Sequence, residues 1–313
     1  MPGRVLVAGA TGFIGRYVRP VLRARGWTLR CGSRRGAAAD SPDEEWVFLD
    51  LNSPQSVAAA LQGCDAALYL VHSISGNDAY PVREAHAAQV FQHEAACAGL
   101  KRIVYLGAVE PQGKASRHLA SRLKTGAILR AGKVPTIELR SAMVIGAGGS
   151  SWAIVRDLAA RLPAMLLPKW LNFVSWPVAI DDVVFALVHA LEMSAAHSLC
   201  YDLPGAEALR HAALLSRVAT AMQRKPALIS VPVLSPRLSS YWIAMVTRAP
   251  LPLIKELVQG LQSDLHPTGE LFWSTQEGVA TSLDLAIAQA LQDEKSSALP
   301  SAAAIERLLE RCA

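Results

Sequence analysis

The chain has 313 residues, 51% hydrophobic and 18% charged, with 31 basic against 26 acidic side chains and a formal net charge of +5. That length holds one large α/β domain or two unequal lobes with a substantial core. Charges or prolines interrupt every long apolar run before the roughly eighteen residues of a membrane span, and the modest positive charge comes without a lysine-rich tail or interleaved aromatics. No membrane span and no nucleic-acid partner are therefore expected, while an anionic small molecule suits the charge. The five cysteines are scattered and form no C-x-x-C pair, so reduced thiols are expected. The first apolar run begins at Val5 and is short, which leaves no room for a signal peptide and points to the cytoplasm.

In the first half, short β-branched runs alternate with glycine-rich or polar turns and amphipathic stretches, the pattern of βαβ units around a parallel sheet. The first strand, Val5 to Ala8, enters GATGFIG, where Gly9, Gly12 and Gly15 open a helical pattern. The first glycine permits a tight turn, the second lets a pyrophosphate approach, and the third lets helix and strand pack closely. In this context the triplet predicts a Rossmann-type doubly wound sheet that binds a dinucleotide at the helix N-terminus. Pro20 lies within that helix and is expected to kink it.

The second strand, Thr28 to Cys31, ends in GSRRG. NAD-binding chains usually carry an acidic residue there, whereas Ser33, Arg34 and Arg35 suit the 2′-phosphate of NADP. A solvated basic loop is the alternative. The third strand, Trp46 to Leu49, leads to Asp50 and Leu51, placed either to meet an adenine edge or to form a turn. A helix follows from Pro54 to Gln62, then a fourth strand from Ala67 to Val71 that ends in His72 and Ser73. These two either touch nicotinamide or ligand, or pair with each other at the strand end. On a long helix from Ala79 to Ala98, His86 and His93 have no third ligand, and no metal site is expected.

The fifth strand, Arg102 to Leu106, runs into Gly107 and Ala108, and the sixth spans Thr136 to Arg140. From Gly146 the texture turns to Gly, Ser, Trp and Pro, ending in an amphipathic helix for which Asp181 or Asp182 is the expected N-cap. Beyond come a helix from Leu209 to Met222 and an apolar hairpin from Leu238 to Leu261, broken by Pro250 and Pro252 into two short helices. The expected division is residues 1–195 as a dinucleotide-binding domain, with 146–178 contributing to a second lobe, and 196–313 as a smaller substrate or partner lobe. Trp152, Trp170, Trp176 and Trp242 either wall a pocket for a small hydrophobic ligand or pack in cores. No G-x-S-x-G elbow points to a hydrolase.

VAGATGFIG, LYLVHSIS, RIVYLGAVE, VAIDDVVFAL and VPVLSPRLSSYW together resemble the extended and atypical short-chain dehydrogenase/reductases, in particular their NmrA-like branch, related to nucleotide-sugar epimerases. The resemblance implies that Gly9, Thr11, Gly12, Phe13, Ile14 and Gly15 surround the pyrophosphate. It places Val71, His72, Ser73, Gly107 and Ala108 beside the nicotinamide and its ribose, and Met143 and Val144 near the carboxamide. Reductases of this family put a Ser at the end of the fifth strand and a Tyr-x-x-x-Lys on the next helix. Here Gly107 and Ala108 replace the Ser, His118 stands in the Tyr place and Arg122 in the Lys place. Arg122, one helical turn away, disfavours an imidazolium, and neutral His118 is a poor acid, which leaves the pair either to bind the ribose or to cap and solvate the helix. Two functions follow. One is an NADP(H)-dependent oxidoreductase or epimerase-like enzyme acting on a small apolar ligand, with an unusual or substrate-supplied proton donor. The other is a non-catalytic redox sensor or assembly factor working through a protein partner or a second copy.

Overall fold

The computed structural model describes residues 3–35, 44–72, 79–162, 164–231, 235–274 and 280–313, with main chain only at 164–167, 169–170, 228 and 230–231. The first half runs β1 (Arg4–Ala8), α1 (Phe13–Ala24), β2 (Thr28–Ser33), β3 (Glu44–Phe48), α2 (Pro54–Leu61), β4 (Ala66–Tyr69), α3 (Tyr80–Cys97), β5 (Arg102–Ala108), α4 (Arg117–Arg130) and β6 (Thr136–Ser141). All six expected strands form, and α1 continues through Pro20. A further strand, Leu199–Asp202, joins the edge of β6 and completes a seven-stranded sheet in the order Leu199–Asp202, β6, β5, β4, β1, β2, β3. Every pairing in it is parallel. The chain is thus α/β with a Rossmann-type doubly wound sheet, and the order reverses between β1 and β4, where such sheets open a crevice at the strand C-termini.

Both faces of the sheet are apolar, as parallel strands covered on two sides require. Val5, Val7, Val104, Leu106, Ile137 and Leu139 face one core, shared with α1 and with α6 (Ile180–Glu192). Leu6, Ala8, Ala67, Tyr69, Ile103 and Tyr105 face the other, under α2 and α3. A separate core joins α5 (Ser150–Arg161), α7 (His211–Ala221), α8 (Pro236–Thr247), α9 (Leu251–Gly260) and α10 (Leu283–Asp293). The hairpin forms as two helices, and Arg248 ends α8 in the left-handed region at φ 58°. Two elements beyond residue 195 nevertheless return to the large layer: the edge strand, and α11 (Ala302–Cys312), whose Ala304 and Leu308 pack in the core of α1 and α6.

The expectation that Asp181 or Asp182 caps α6 is corrected. Ala179 is the N-cap, and both carboxylates lie in the first turn. Burial raises the pKa of each, so each needs a cation or donor more than a helix end does. Asp181 takes Arg307 at 3.2 Å, while Asp182 takes Arg311 at 2.5 Å and the Thr281 amide at 2.8 Å. These bonds clamp the C-terminal segment to the start of α6.

Candidate functional site

Gly9 adopts φ +93°, a conformation that L side chains rarely tolerate, and its carbonyl accepts the Gly12 amide at 2.9 Å. Gly12 then caps α1 with no side chain blocking the first-turn amides. A Cβ on Gly15 would lie 2.8 Å from the Ala10 Cα and strike the Gly9 carbonyl oxygen, so the helix can approach the strand only without one. This cradle fits a pyrophosphate: the backbone is open where a side chain would intrude, and unpaired N–H groups face the crevice.

The cradle opens into one cleft of about 1220 Å³, and Gly9, Thr11, Gly12, Phe13, Ile14 and Gly15 line its floor. Ser33, Arg34 and Arg35 line the end nearest β2, and both arginines are exposed. The Ser33 hydroxyl donates to the Arg35 carbonyl at 2.6 Å, which folds this strand end into a tight turn. Asp50 and Leu51 line the cleft as well, yet the Asp50 carboxylate accepts the Asn52 amide at 3.0 Å, so it also forms the turn. Val71, His72, Ala108, Met143 and Val144 line the middle. Gly107 does not line it, and Ser73 lies outside the described residues.

α4 carries the two substituted positions. His118 is 8% exposed, and its Nδ1 has no hydrogen-bond partner among the described residues. Burial, then the Arg122 charge, pushes its pKa down to about 3, so the ring is neutral at physiological pH, with burial the larger cause. His72 stands open to the cleft with its ring centroid 5.9 Å from that of His118. Arg122 is bound to the strand end: its Nη2 donates to the carbonyls of Leu106 at 2.8 Å and Gly107 at 2.9 Å. Its own carbonyl accepts the Tyr105 hydroxyl at 3.1 Å. A side chain at Gly107 would have to displace the Glu138 carboxylate, because a Cβ there would lie 2.5 Å from its Oε1.

His118→Ala is therefore expected to leave cofactor oxidation within about threefold, since a neutral imidazole is a weak proton donor. A hundredfold fall in kcat at unchanged cofactor affinity would show that His118 does give a proton. The same substitution tests the charge state. Folding lowers the His118 pKa from 6.5 to about 3, so below pH 6.5 the unfolded chain binds the proton first. Stability is then lost as pH falls from 6.5 toward 3, at up to about 1.4 kcal/mol per pH unit for this group. His118→Ala should flatten that decline in urea unfolding compared at pH 7 and pH 5.

Sequence reasoning missed several lining residues. Tyr80, Arg83, Glu84 and Ala87 of α3 share one helix face on the cleft, a spacing that was present in the sequence. Ser121 donates to the Glu84 carboxylate, tying α4 to α3. His211 and Glu256 enter from the second lobe, and Glu256 pairs with Arg117 at 3.0 Å. The tryptophan wall is corrected. Trp152 is wholly buried and donates to Glu294, and Trp176 donates to His266. Neither these nor Trp242 lines the cleft, and the Trp170 side chain lies outside the described residues. Trp152 and Trp242 pack in the second lobe's core, Trp176 is half-buried outside the cleft, and mostly aliphatic side chains face the cavity on that side.

Residues 9–158 match a family described as NAD(P)H-binding. A dTDP-6-deoxy-L-talose 4-dehydrogenase (NAD(P)(+)) of Kitasatospora kifunensis is 29% identical over 188 residues, which cover 52% of this chain and 59% of that protein, less than two thirds of its length. A triphenylmethane reductase of Citrobacter sp. superposes with a TM-score of 0.73 at 18% identity, over 93% of this chain and all of that one (100%). A nucleoside-diphosphate-sugar epimerase of Staphylococcus aureus gives 0.72 at 15% identity, over 92% of this chain and 100% of that one. Among the described residues, no helix is long and apolar enough to cross a membrane. The chain thus carries an NAD(P)H-binding domain over residues 9–158 and shares the fold of that triphenylmethane reductase and that nucleoside-diphosphate-sugar epimerase.

Proposed function

We propose that this chain binds NADP(H) in preference to NAD(H), in the cytoplasm, and sets the nicotinamide against a small apolar ligand. The observation that carries this reading is the continuity of one cleft, from Arg34 and Arg35 past the glycine cradle to an aliphatic wall contributed by the second lobe. In this reading residues 1–195 supply the cofactor side, with 146–178 and part of 196–313 supplying the ligand side. When bound, a nicotinamide exchanges hydride with a ligand carbon. The chain's own part is to orient the two partners. His118 and Arg122 offer no proton, the first by its neutrality and the second by its bonds to the β5 carbonyls. The proton then comes from the ligand or from solvent.

Those same altered positions favour a second reading, a redox sensor or assembly factor that passes cofactor state to a partner chain or a second copy. Leu238, Tyr241 and Met245 of α8 are exposed apolar side chains on which such a contact would draw.

The cofactor claim is tested by titration. Charge-assisted bonds from Arg34 or Arg35 to a 2′-phosphate are worth about 1.5–3 kcal/mol, so NADPH should bind at least about tenfold more tightly than NADH. Arg34→Asp should narrow or reverse that ratio. Equal affinities in the unaltered protein would remove the argument from the basic loop.

A further inference from the structure

The two walls of the cleft differ in chemistry. On the cofactor side stand Arg34, Arg35, Arg83 and Arg122. On the second-lobe side Leu158, Leu171, Leu214, Ile243, Ile254 and Val258 face the cavity, and among the described residues no Arg or Lys of that lobe lines it. The acidic Glu256 is already matched to Arg117. A nucleotide diphosphate placed against this wall would lose the hydration of its phosphates and gain no cation in exchange, which is a large penalty.

Besides Glu256 and the serines Ser150, Ser151 and Ser175, one polar ring interrupts the aliphatic wall. His211 opens α7, lines the cleft and is 7% exposed. Its Nε2 is out of solvent contact and has no hydrogen-bond partner among the described residues. The backbone holds it in place: Leu209 and Arg210 pair antiparallel with Ser175 and Val174, and the His211 amide donates to the Phe173 carbonyl at 3.2 Å. Burial lowers its pKa to about 4 against a weaker opposing pull from Asp264, so the ring is neutral at physiological pH. A neutral imidazole nitrogen donates or accepts one hydrogen bond according to tautomer, and leaving it unpaired in an apolar wall is unfavourable.

We propose that His211 is the polar anchor of a subsite for an uncharged, apolar ligand bearing one carbonyl or hydroxyl group, and that this subsite rejects nucleotide-diphosphate sugars. This deepens the reading of the cleft as a cofactor-plus-ligand site and rests on it for the ligand's place beside the nicotinamide. Specificity here is the difference between one satisfied and one unsatisfied hydrogen bond, added to apolar burial that a hydrocarbon would share equally.

The test is calorimetric titration of the full chain with 2-acetylnaphthalene, 2-ethylnaphthalene and UDP-glucose, each with and without NADP⁺. The two naphthalenes share a ring frame and differ in one carbonyl. The ketone is expected to bind about tenfold more tightly than the hydrocarbon, the worth of one neutral hydrogen bond, and UDP-glucose is expected not to bind. His211→Leu should erase the ketone's advantage and leave the hydrocarbon within about twofold, since apolar burial is retained; His211→Gln should keep most of the advantage. In unaltered protein labelled with ¹⁵N-histidine, the His211 ring resonance should move with the ketone and not with the hydrocarbon, which reads the same contact without a variant. The proposal is overturned if UDP-glucose binds as tightly as the ketone, if the ketone's advantage survives in His211→Leu, or if neither naphthalene binds. Failure of NADPH to bind would sink the cofactor reading alone, because the comparison without NADP⁺ still decides the role of His211.

Discussion

Gly15→Ala is expected to lower folding stability by about 2–3 kcal/mol and NADPH affinity by at least tenfold, because the added methyl meets only main chain. Its Cβ would lie 2.8 Å from both the Ala10 Cα and the Ala10 carbonyl oxygen, and against the Gly9 carbonyl oxygen. None of these atoms can rotate away as a side-chain tip can. Relief requires α1 to move off β1, and that movement carries the first-turn amides away from the pyrophosphate cradle. Gly99→Ala is the control: Gly99 has φ +72° with nothing within 4 Å of an added Cβ, so it carries only a backbone cost of about 1 kcal/mol. Urea unfolding and NADPH titration of both variants decide the matter. A Gly15→Ala protein no weaker than Gly99→Ala in either measurement would mean that the helix and strand have slack the geometry does not show.

Glu138→Ala is expected to cost about 3 kcal/mol. Glu138 is wholly buried on β6, with Arg130 Nε at 2.7 Å from one carboxylate oxygen and Arg140 Nε at 3.4 Å from the other. Removing one member of a buried ion pair leaves uncompensated charge, at about 3–5 kcal/mol, and the partial exposure of both arginines places this case at the low end. The carboxylate also fills the space between β5 and α4. A Cβ at Gly107 would come 2.5 Å from its Oε1, and one at Gly126 would come 2.5 Å from its Cδ. A serine introduced at position 107 therefore has to displace the Glu138 carboxylate. Gly107→Ser should destabilise the unaltered protein, and in the Glu138→Ala background it should cost clearly less, a non-additivity that urea unfolding of the four proteins measures directly. A Glu138→Ala loss below about 1 kcal/mol would show that water or chain movement already compensates the two guanidinium groups.

The glycine cradle, the six strands of the first half and the helical hairpin were legible because each is a local property. A glycine's positive φ, a β-branched run and a proline break act within a few residues of themselves. The substituted positions His118 and Arg122 were legible for the same reason, through their spacing on one helix. Much of the remainder depends on neighbours far along the chain. Leu199–Asp202 joins the sheet because β6 leaves an edge open, and α11 returns because Arg307 and Arg311 find Asp181 and Asp182 more than a hundred residues back. Trp152 reads as pocket wall or core until packing and its partner Glu294 assign it to the lobe interior, while Trp176 is half-buried and donates to His266 outside the cleft. Glu138 reads as an ordinary strand carboxylate, and only the convergence of β5, β6 and α4 buries it and sets its carboxylate against position 107. His211 likewise sits in no motif. Burial and the absence of a partner are produced by elements that meet it in space, and a sequence pattern carries no record of which groups remain unsatisfied after folding.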